Sequence, residues 1–249
     1  MATAGKARGV GPERAYHRPL PASGVVRLDA DEGRHLVRVR RARVGDPVAL
    51  FDGLGATRLA RLLDERAEGP SLEILSDYPD REPHRRVGVA VALSGAGRAD
   101  DLVAALAECG VTVLVPLETA RGVRDPNHLS ARRRERWERL TREAAKVNGR
   151  SRLLRVEDPV EISSLPSYAA AASPPWTPVL LDTDPALPPL SRLLLGIVCP
   201  LLLVGPEGGF APEEAAELAR AGVPAGSLGA CALRTETAAV AAAAIALGD

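Results

Sequence analysis

Four strand-like, largely apolar runs lie in the later two-thirds of the chain: VGVAVAL at 87–93, which is continuous, VTVLVP at 111–116, PVLLD at 178–182 and PLLLVG at 200–205. A strand with one wet face alternates polar and apolar residues, whereas a strand covered on both faces reads as a continuous run. Helical patterns separate the runs. One extends from about Ala99 to Cys109 and stops at Gly110. Another, SARRRERWERLTREAAKV at 130–147, has Ser130 at its cap and Trp137, Leu140 and Ala144 on one face. These runs can be covered only in an α/β layer fold with a mostly parallel sheet, which places ligand sites beyond the carboxyl ends of strands.

The earlier part has a different character. VVRL, HLVRVRR, PVALFDG, ATRLARLL and PSLEIL, from Gly24 to about Ile74, read as short strands, with turns at Gly45-Asp46 and Asp52-Gly53. Alternation in LVRVR would put Leu36, Arg38 and Arg40 on one face. The expected organisation is a flexible segment at 1–23, a small β-barrel-like domain at 24–75, a polar linker at 76–86 (SDYPDREPHRR) and the α/β domain at 87–249. RLLRV, ending at Val156, reads as a further strand, and the Pro- and Ala-rich stretch from Leu165 to Pro178 as irregular.

Lys and Arg together number 32, as do Asp and Glu, so net charge gives no support to polyanion binding. Local clusters do: Arg34, Arg38, Arg40, Arg41 and Arg43, then 132–155. Solvated faces look the same, and both readings stand. The cysteines (Cys109, Cys199, Cys231) and histidines (His17, His35, His84, His128) are scattered, so no disulfide framework and no metal site is expected. With neither a signal-like opening nor a bilayer-length apolar run, the expectation is a soluble cytoplasmic protein without a membrane partner.

LLLVGPEGGF at 201–210 is the most unusual strand end. Gly205-Pro206 bends the chain away, and Gly208-Gly209 admits a bound group close to the backbone. Glu207 opposes a phosphate in that cradle, and neither nucleotide-phosphate glycine motif occurs. A carboxylate suits hydroxyls, an amine or backbone donors. Spacing alone leaves a strained structural turn and a ligand loop both open. SLGACALRTETA at 227–238 is small-sided, then polar: Thr235 is a candidate cap, Arg234 and Glu236 a candidate pair.

Taken together, LLLVGPEGGF and SLGACALRTETA closely resemble the RsmE family of the SPOUT superfamily, ribosomal RNA small-subunit methyltransferases that modify uridine N3. HLVRVRRARVGDPVALFDG resembles the same family's PUA-like RNA-binding domain. The resemblance implies a deep trefoil knot in the C-terminal domain, a homodimer and S-adenosylmethionine as methyl donor. It also implies that Leu181, Val204, Gly205, Pro206, Glu207, Gly208, Gly209, Leu228, Gly229, Leu233, Thr235 and Thr237 surround the cofactor. Arg234 and Glu236 become the catalytic candidates. Arg38, Arg40, Arg98, Arg121, Lys146 and Arg150 become the candidates for holding substrate RNA or the small ribosomal subunit.

The chain departs from the family pattern on the acceptor side. SGAGRADD keeps Arg98 and Asp100; Ala105 replaces a lysine, while Glu108 is kept; TAR keeps Arg121 but has Ala120 at the acidic position. EAAKVN brings Lys146 and Val147 in place of an acid and an amide, and Cys231 replaces an arginine. Two alternatives therefore accompany methylation of small-subunit RNA: N-methylation of another RNA or a small heteroaromatic metabolite, and RNA binding without catalysis.

Overall fold

The computed structural model describes residues 11–66, 68–93, 96–122 and 130–248; His128 and the Ser94-Gly95 pair of SGAGRADD lie outside them. Two compact units result, one comprising 1–82 and 145–152, the other 83–144 and 153–249. The boundary at Glu82/Pro83 falls inside the stretch expected to be a linker.

The first unit contains β1 (Glu13–Tyr16), β2 (Gly24–Arg27), α1 (Ala30–Arg34), β3 (Pro47–Phe51), β4 (Thr57–Leu62) and β5 (Ser71–Asp77). They form one sheet in the order β1-β3-β4-β5-β2, parallel between β1 and β3 and antiparallel elsewhere. Its core includes Val26, Leu36, Val48, Leu50, Leu62 and Leu72. The Asp52-Gly53 turn is built as its residues suggest: Asp52 Oδ1 accepts from the N–H groups of Leu54, Gly55 and Ala56.

Two expectations are corrected here. The segment expected to be flexible up to residue 23 carries β1, whose pairing with β3 satisfies its backbone. HLVRVRR is not a strand: α1 runs into a π-helical turn over His35–Val39. Asp29 starts the helix by accepting from the N–H groups of Asp31 and Glu32, and Arg41, at φ 59°, ends the coil. Leu36 is buried while Arg38 and Arg40 are exposed, so the alternation did not mark a pleat.

The second unit contains β6 (Gly88–Val91), α2 (Ala96–Cys109), β7 (Val113–Glu118), α3 (Ala131–Asn148, its last turn counted with the first unit), β8 (Arg155–Val156), β9 (Val160–Glu161), α4 (Leu165–Ala171), β10 (Thr177–Asp182), α5 (Leu190–Leu193), β11 (Pro200–Val204), α6 (Pro212–Arg220), β12 (Ala225–Ser227) and α7 (Thr235–Leu247). The sheet is parallel throughout, in the order β12-β10-β11-β6-β7-β8, with β9 also on β7. The four apolar runs are its β6, β7, β10 and β11. Val89, Val91, Leu202 and Val204 face a cluster with α2, α3, α5 and α7; Ala90, Leu201 and Leu203 face another with α4 and α6. The alternate residues of each run thus serve opposite faces, which is why the runs are almost wholly apolar between their ends. Gly88 lies between neighbours; a Cβ there would come within 2.8 Å of Leu201 Cδ1 and 2.9 Å of Val113 Cγ1.

The stretch 165–178, expected to be irregular, holds α4. Leu165 and Ala169, four residues apart, are both buried, and Pro166 sits in the first turn, where a missing N–H costs nothing. Trp137 is buried as its register required, and its Nε1 donates to Asp100 Oδ1 at 2.6 Å. Among the described residues no helix is long and apolar enough to cross a membrane.

Candidate functional site

β10, β11 and β12 are neighbours in the sheet and parallel, so their carboxyl ends open at one edge. A cavity of about 430 Å3 lies there. Leu181, Asp182 and Thr183 line it from the end of β10, Val204 and residues 205–210 from the end of β11, and Leu228, Gly229 and residues 231–233 from the loop after β12; Ala215 of α6 and Thr235 and Ala238 of α7 complete it. Such a volume lies within the ordinary range of ligand pockets, ~300–1,000 Å3.

The two glycine-containing loops are held by specific bonds. In the first, Gly209 sits at φ 68° and its N–H donates to Pro206 O at 2.8 Å, closing a tight turn. In the second, the Ser227 hydroxyl donates to Gly229 O (3.2 Å) and accepts from Gly229 N–H (3.1 Å), with Gly229 at φ 126°. A third bond joins them: Thr235 Oγ1 donates to Gly205 O at 3.1 Å. Thr235 is therefore not the cap of α7 but its first residue; Arg234 occupies the cap position, its carbonyl accepting from Ala238 N–H. Replacing Thr235 with Val should remove about 0.5–1.5 kcal/mol of stability. Urea unfolding measures it, and an unchanged midpoint would mean the loops hold together without this bond.

Charged groups stand around the cavity in a definite pattern. Arg98, on α2, pairs with Glu207 at 2.7 Å and with Glu236 of α7 at 3.7 Å. Glu236 thus meets Arg98 rather than Arg234 of its own segment. The hydrogen bond to Glu207 and the charge of Glu236 raise the Arg98 pKa above its ordinary value. Arg121 donates to Gly208 O (2.7 Å) and Phe210 O (3.3 Å), gripping the first loop by its carbonyls. Glu214 is buried and accepts from Ala120 N–H and Ala211 N–H, both at 2.7 Å, fixing the entry to α6. Among the described residues, those lining the cavity include two carboxylates, Asp182 and Glu207, and no basic side chain.

Eleven of the twelve residues expected around a cofactor line this cavity: Leu181, Val204, Gly205, Pro206, Glu207, Gly208, Gly209, Leu228, Gly229, Leu233 and Thr235. Thr237 does not. Arg234 is exposed beside it, between the lining residues Leu233 and Thr235. Asp182, Thr183 and Phe210, which were not among those expected, line it too, as does Cys231 of the loop expected beside adenine.

The residues expected to contact RNA divide between the units, Arg98 and Arg121 in the second and the other four in the first. Arg38 is exposed, and Arg40, also exposed, pairs with Glu13 at 3.6 Å. Two of the six are buried and paired. Lys146 is not presented to solvent: its side chain is only 3% exposed, paired with Glu32 at 2.8 Å. Arg150 is likewise 4% exposed and paired with Glu82 at 3.1 Å. Both cations are committed to carboxylates of their own unit, for which a buried charge has to be compensated. Burial pushes the Cys109 thiol pKa up.

The RNA methyltransferase domain family matches residues 81–247, and the RNA methyltransferase PUA domain family matches 28–75. The chain is 33% identical over 241 residues to the ribosomal RNA small subunit methyltransferase E of Mycobacterium bovis, covering 94% of this chain and 88% of that one. It belongs to the RsmE family. The RsmE-family enzyme of Neisseria gonorrhoeae, solved bound to S-adenosyl methionine, superposes with a TM-score of 0.80 at 28% identity, over 94% of this chain and 96% of that chain. A Legionella pneumophila protein solved with bound SAM gives a TM-score of 0.75 at 26% identity, over 95% and 97% of the two chains. RsmE membership thus extends over both units, the PUA-like one and the α/β one.

Proposed function

We infer that this RsmE-family chain is an S-adenosylmethionine-dependent methyltransferase that modifies uridine N3 in small-subunit ribosomal RNA. The observation that carries the donor assignment is the cavity's charge. Among the described residues two carboxylates and no basic side chain line it, which disfavours a phosphate-bearing nucleotide and favours a nucleoside carrying a sulfonium and an ammonium. Leu181, Val204, Leu228 and Leu233 offer apolar walls for a flat base. Gly205, Gly208, Gly229 and Pro206 leave main-chain groups accessible beside it. Asp182 spends one oxygen on Asp184 N–H at 3.1 Å and keeps the other for a hydroxyl or amine.

When bound, the donor supplies an electrophilic methyl group for direct displacement, without a covalent enzyme intermediate. The chain's own task is alignment and electrostatics. Thr235 joins the two loops, Arg121 holds the first from outside, and Arg98 fixes the carboxylates of Glu207 and Glu236. Arg234, exposed next to the cavity, is the group proposed to stabilise charge developing on uracil oxygen as N3 loses its proton. Glu236 is the proposed proton acceptor or its positioning partner.

We propose in addition a trefoil knot in the second unit. A trefoil knot is supported by the course of the last segment: β12 pairs with β10 at the sheet edge, yet α7 packs against β11, β6 and α2. The chain must return across the strand ends, past residues 205–210, to do so. We also propose a homodimer working in the cytoplasm, with RNA met by Arg38, Arg40 and the first unit.

Labelled-methyl transfer, run in parallel on isolated small subunits, naked RNA and small-molecule pools with mass mapping of the product, tests the function. N3-methyluridine in small-subunit RNA is expected; label confined to a metabolite or to another RNA position would reject the target. For the donor site, Glu207→Gln should weaken S-adenosylmethionine binding about two- to five-fold, the scale of an exposed charge interaction. The effect should shrink as salt rises. Unchanged affinity with unchanged fold would leave Glu207 only its bond to Arg98.

A further inference from the structure

The first unit contains a second cavity, of about 920 Å3, lined in part by Arg14, Arg40, Tyr78, Asp80, Arg81 and Lys146. It shares no lining residue with the donor cavity. Its acids are spent on internal donors: Glu13 faces Arg40 at 3.6 Å, Asp46 accepts from Arg43 N–H at 2.9 Å, and Asp80 accepts from the Ser151 hydroxyl. Its donors are in surplus. Arg14 gives Nη2 to Arg150 O at 2.6 Å, but its buried Nε has no acceptor, and burial lowers the pKa of this guanidinium. Among the described residues the Arg81 guanidinium and the Tyr78 hydroxyl make no hydrogen bond or ion pair. Arg14 Nε is a buried donor without a partner, while the exposed Arg81 guanidinium and half-buried Tyr78 hydroxyl are left to solvent, so a ligand rich in acceptors can take the place of water at all three. Pro47, Pro79 and Val147, the last 73% exposed, add apolar wall to the same hollow.

We propose that this cavity binds a phosphodiester-linked nucleotide of the RNA substrate other than the one that is methylated, its phosphate and base-carbonyl oxygens meeting Arg14, Arg81 and Tyr78. The assignment rests on the RNA methyltransferase reading and locates part of the recognition in the first unit. A nucleotide satisfies both requirements: oxygen acceptors for the surplus donors, and a flat face for the proline and valine surface. Free phosphate or a mononucleotide offers the same oxygens, and competition separates these sources.

The test uses the full chain and a dye-labelled single-stranded oligouridylate, titrated at several salt concentrations. Arg81→Gln should weaken binding about ten-fold and reduce the salt slope by about 0.7, the value for one phosphate contact on a single strand. Tyr78→Phe removes no charge; it should weaken binding about three- to ten-fold with the slope unchanged. Arg66→Gln deletes an equal charge from an exposed position of the same unit that does not line the cavity, and should stay within about two-fold. Urea midpoints establish that all three variants are folded. If Arg81→Gln and Tyr78→Phe bind as tightly as the parent while the parent still methylates RNA, the cavity assignment falls and the enzyme reading stands. If the parent neither binds nor methylates RNA, both fall. Displacement by uridine monophosphate or inorganic phosphate as readily as by unlabelled oligouridylate would overturn the RNA assignment in favour of a free metabolite.

Discussion

Gly229→Val is expected to weaken S-adenosylmethionine binding about 10- to 100-fold, corresponding to about 1–3 kcal/mol of backbone strain. Gly229 sits at φ 126°, a conformation essentially restricted to glycine, and a Cβ there would meet nothing within 4 Å. The penalty is therefore torsional rather than steric. A valine would force the loop out of the geometry in which Ser227 both donates to and accepts from residue 229, and this loop forms one wall of the cavity. Because the residue is exposed, the sheet and both apolar clusters should survive, and the urea midpoint should move little. Calorimetric titration measures the first effect and denaturation the second. A large fall in midpoint with cofactor affinity preserved would place the loop's importance in folding alone.

The second large effect belongs to the other unit. Lys146→Met should cost about 3–5 kcal/mol, because it strands a buried carboxylate. Glu32 keeps only the Tyr16 N–H, at 3.2 Å to Oε2, among the contacts seen at that carboxylate. The Lys146→Met/Glu32→Gln double variant should recover most of the loss: it removes both charges and leaves an amide oxygen for Tyr16. The first urea transition is the measurement, with S-adenosylmethionine affinity expected to stay constant, since no residue of the pair lines the donor cavity. If Lys146→Met were instead as stable as the parent and bound RNA more weakly, the lysine would be the RNA contact that its place in a basic segment suggests.

That contrast shows what the sequence could and could not disclose. EAAKVN displays a lysine in a basic helix, but nothing local displays Glu32, 114 residues away, which uses it. Arg150 was hidden in the same way, its partner Glu82 lying 68 residues earlier. Electrostatic roles depend on long-range partners, so charge clusters overstate the available cations. The parallel strands were legible for the opposite reason: burial on both faces demands apolar residues at every position, a requirement written entirely in local order.

The site was legible where main-chain geometry dictates the residue. Glycines at 209 and 229, both at positive φ, belong to motifs whose order and spacing carry the family resemblance. Asp182 and Thr183 carried no such mark; they enter the cavity only because β10 lies beside β11. LVRVR misled because alternation over five residues also fits one helical turn and a half, while the stronger signal was the Asp29 cap with Asp31 and Glu32 behind it. α4 escaped notice because its prolines and alanines look like a loop until Leu165 and Ala169 are seen to share one buried side.

Hydrogen exchange of the intact chain, recorded with and without S-adenosylmethionine, tests the central claim most directly. Slowed exchange confined to residues 205–210 and 228–235, with the end of β10 following, is the expected result. Saturable binding that protects some other surface and leaves both loops exchanging as before would contradict the account.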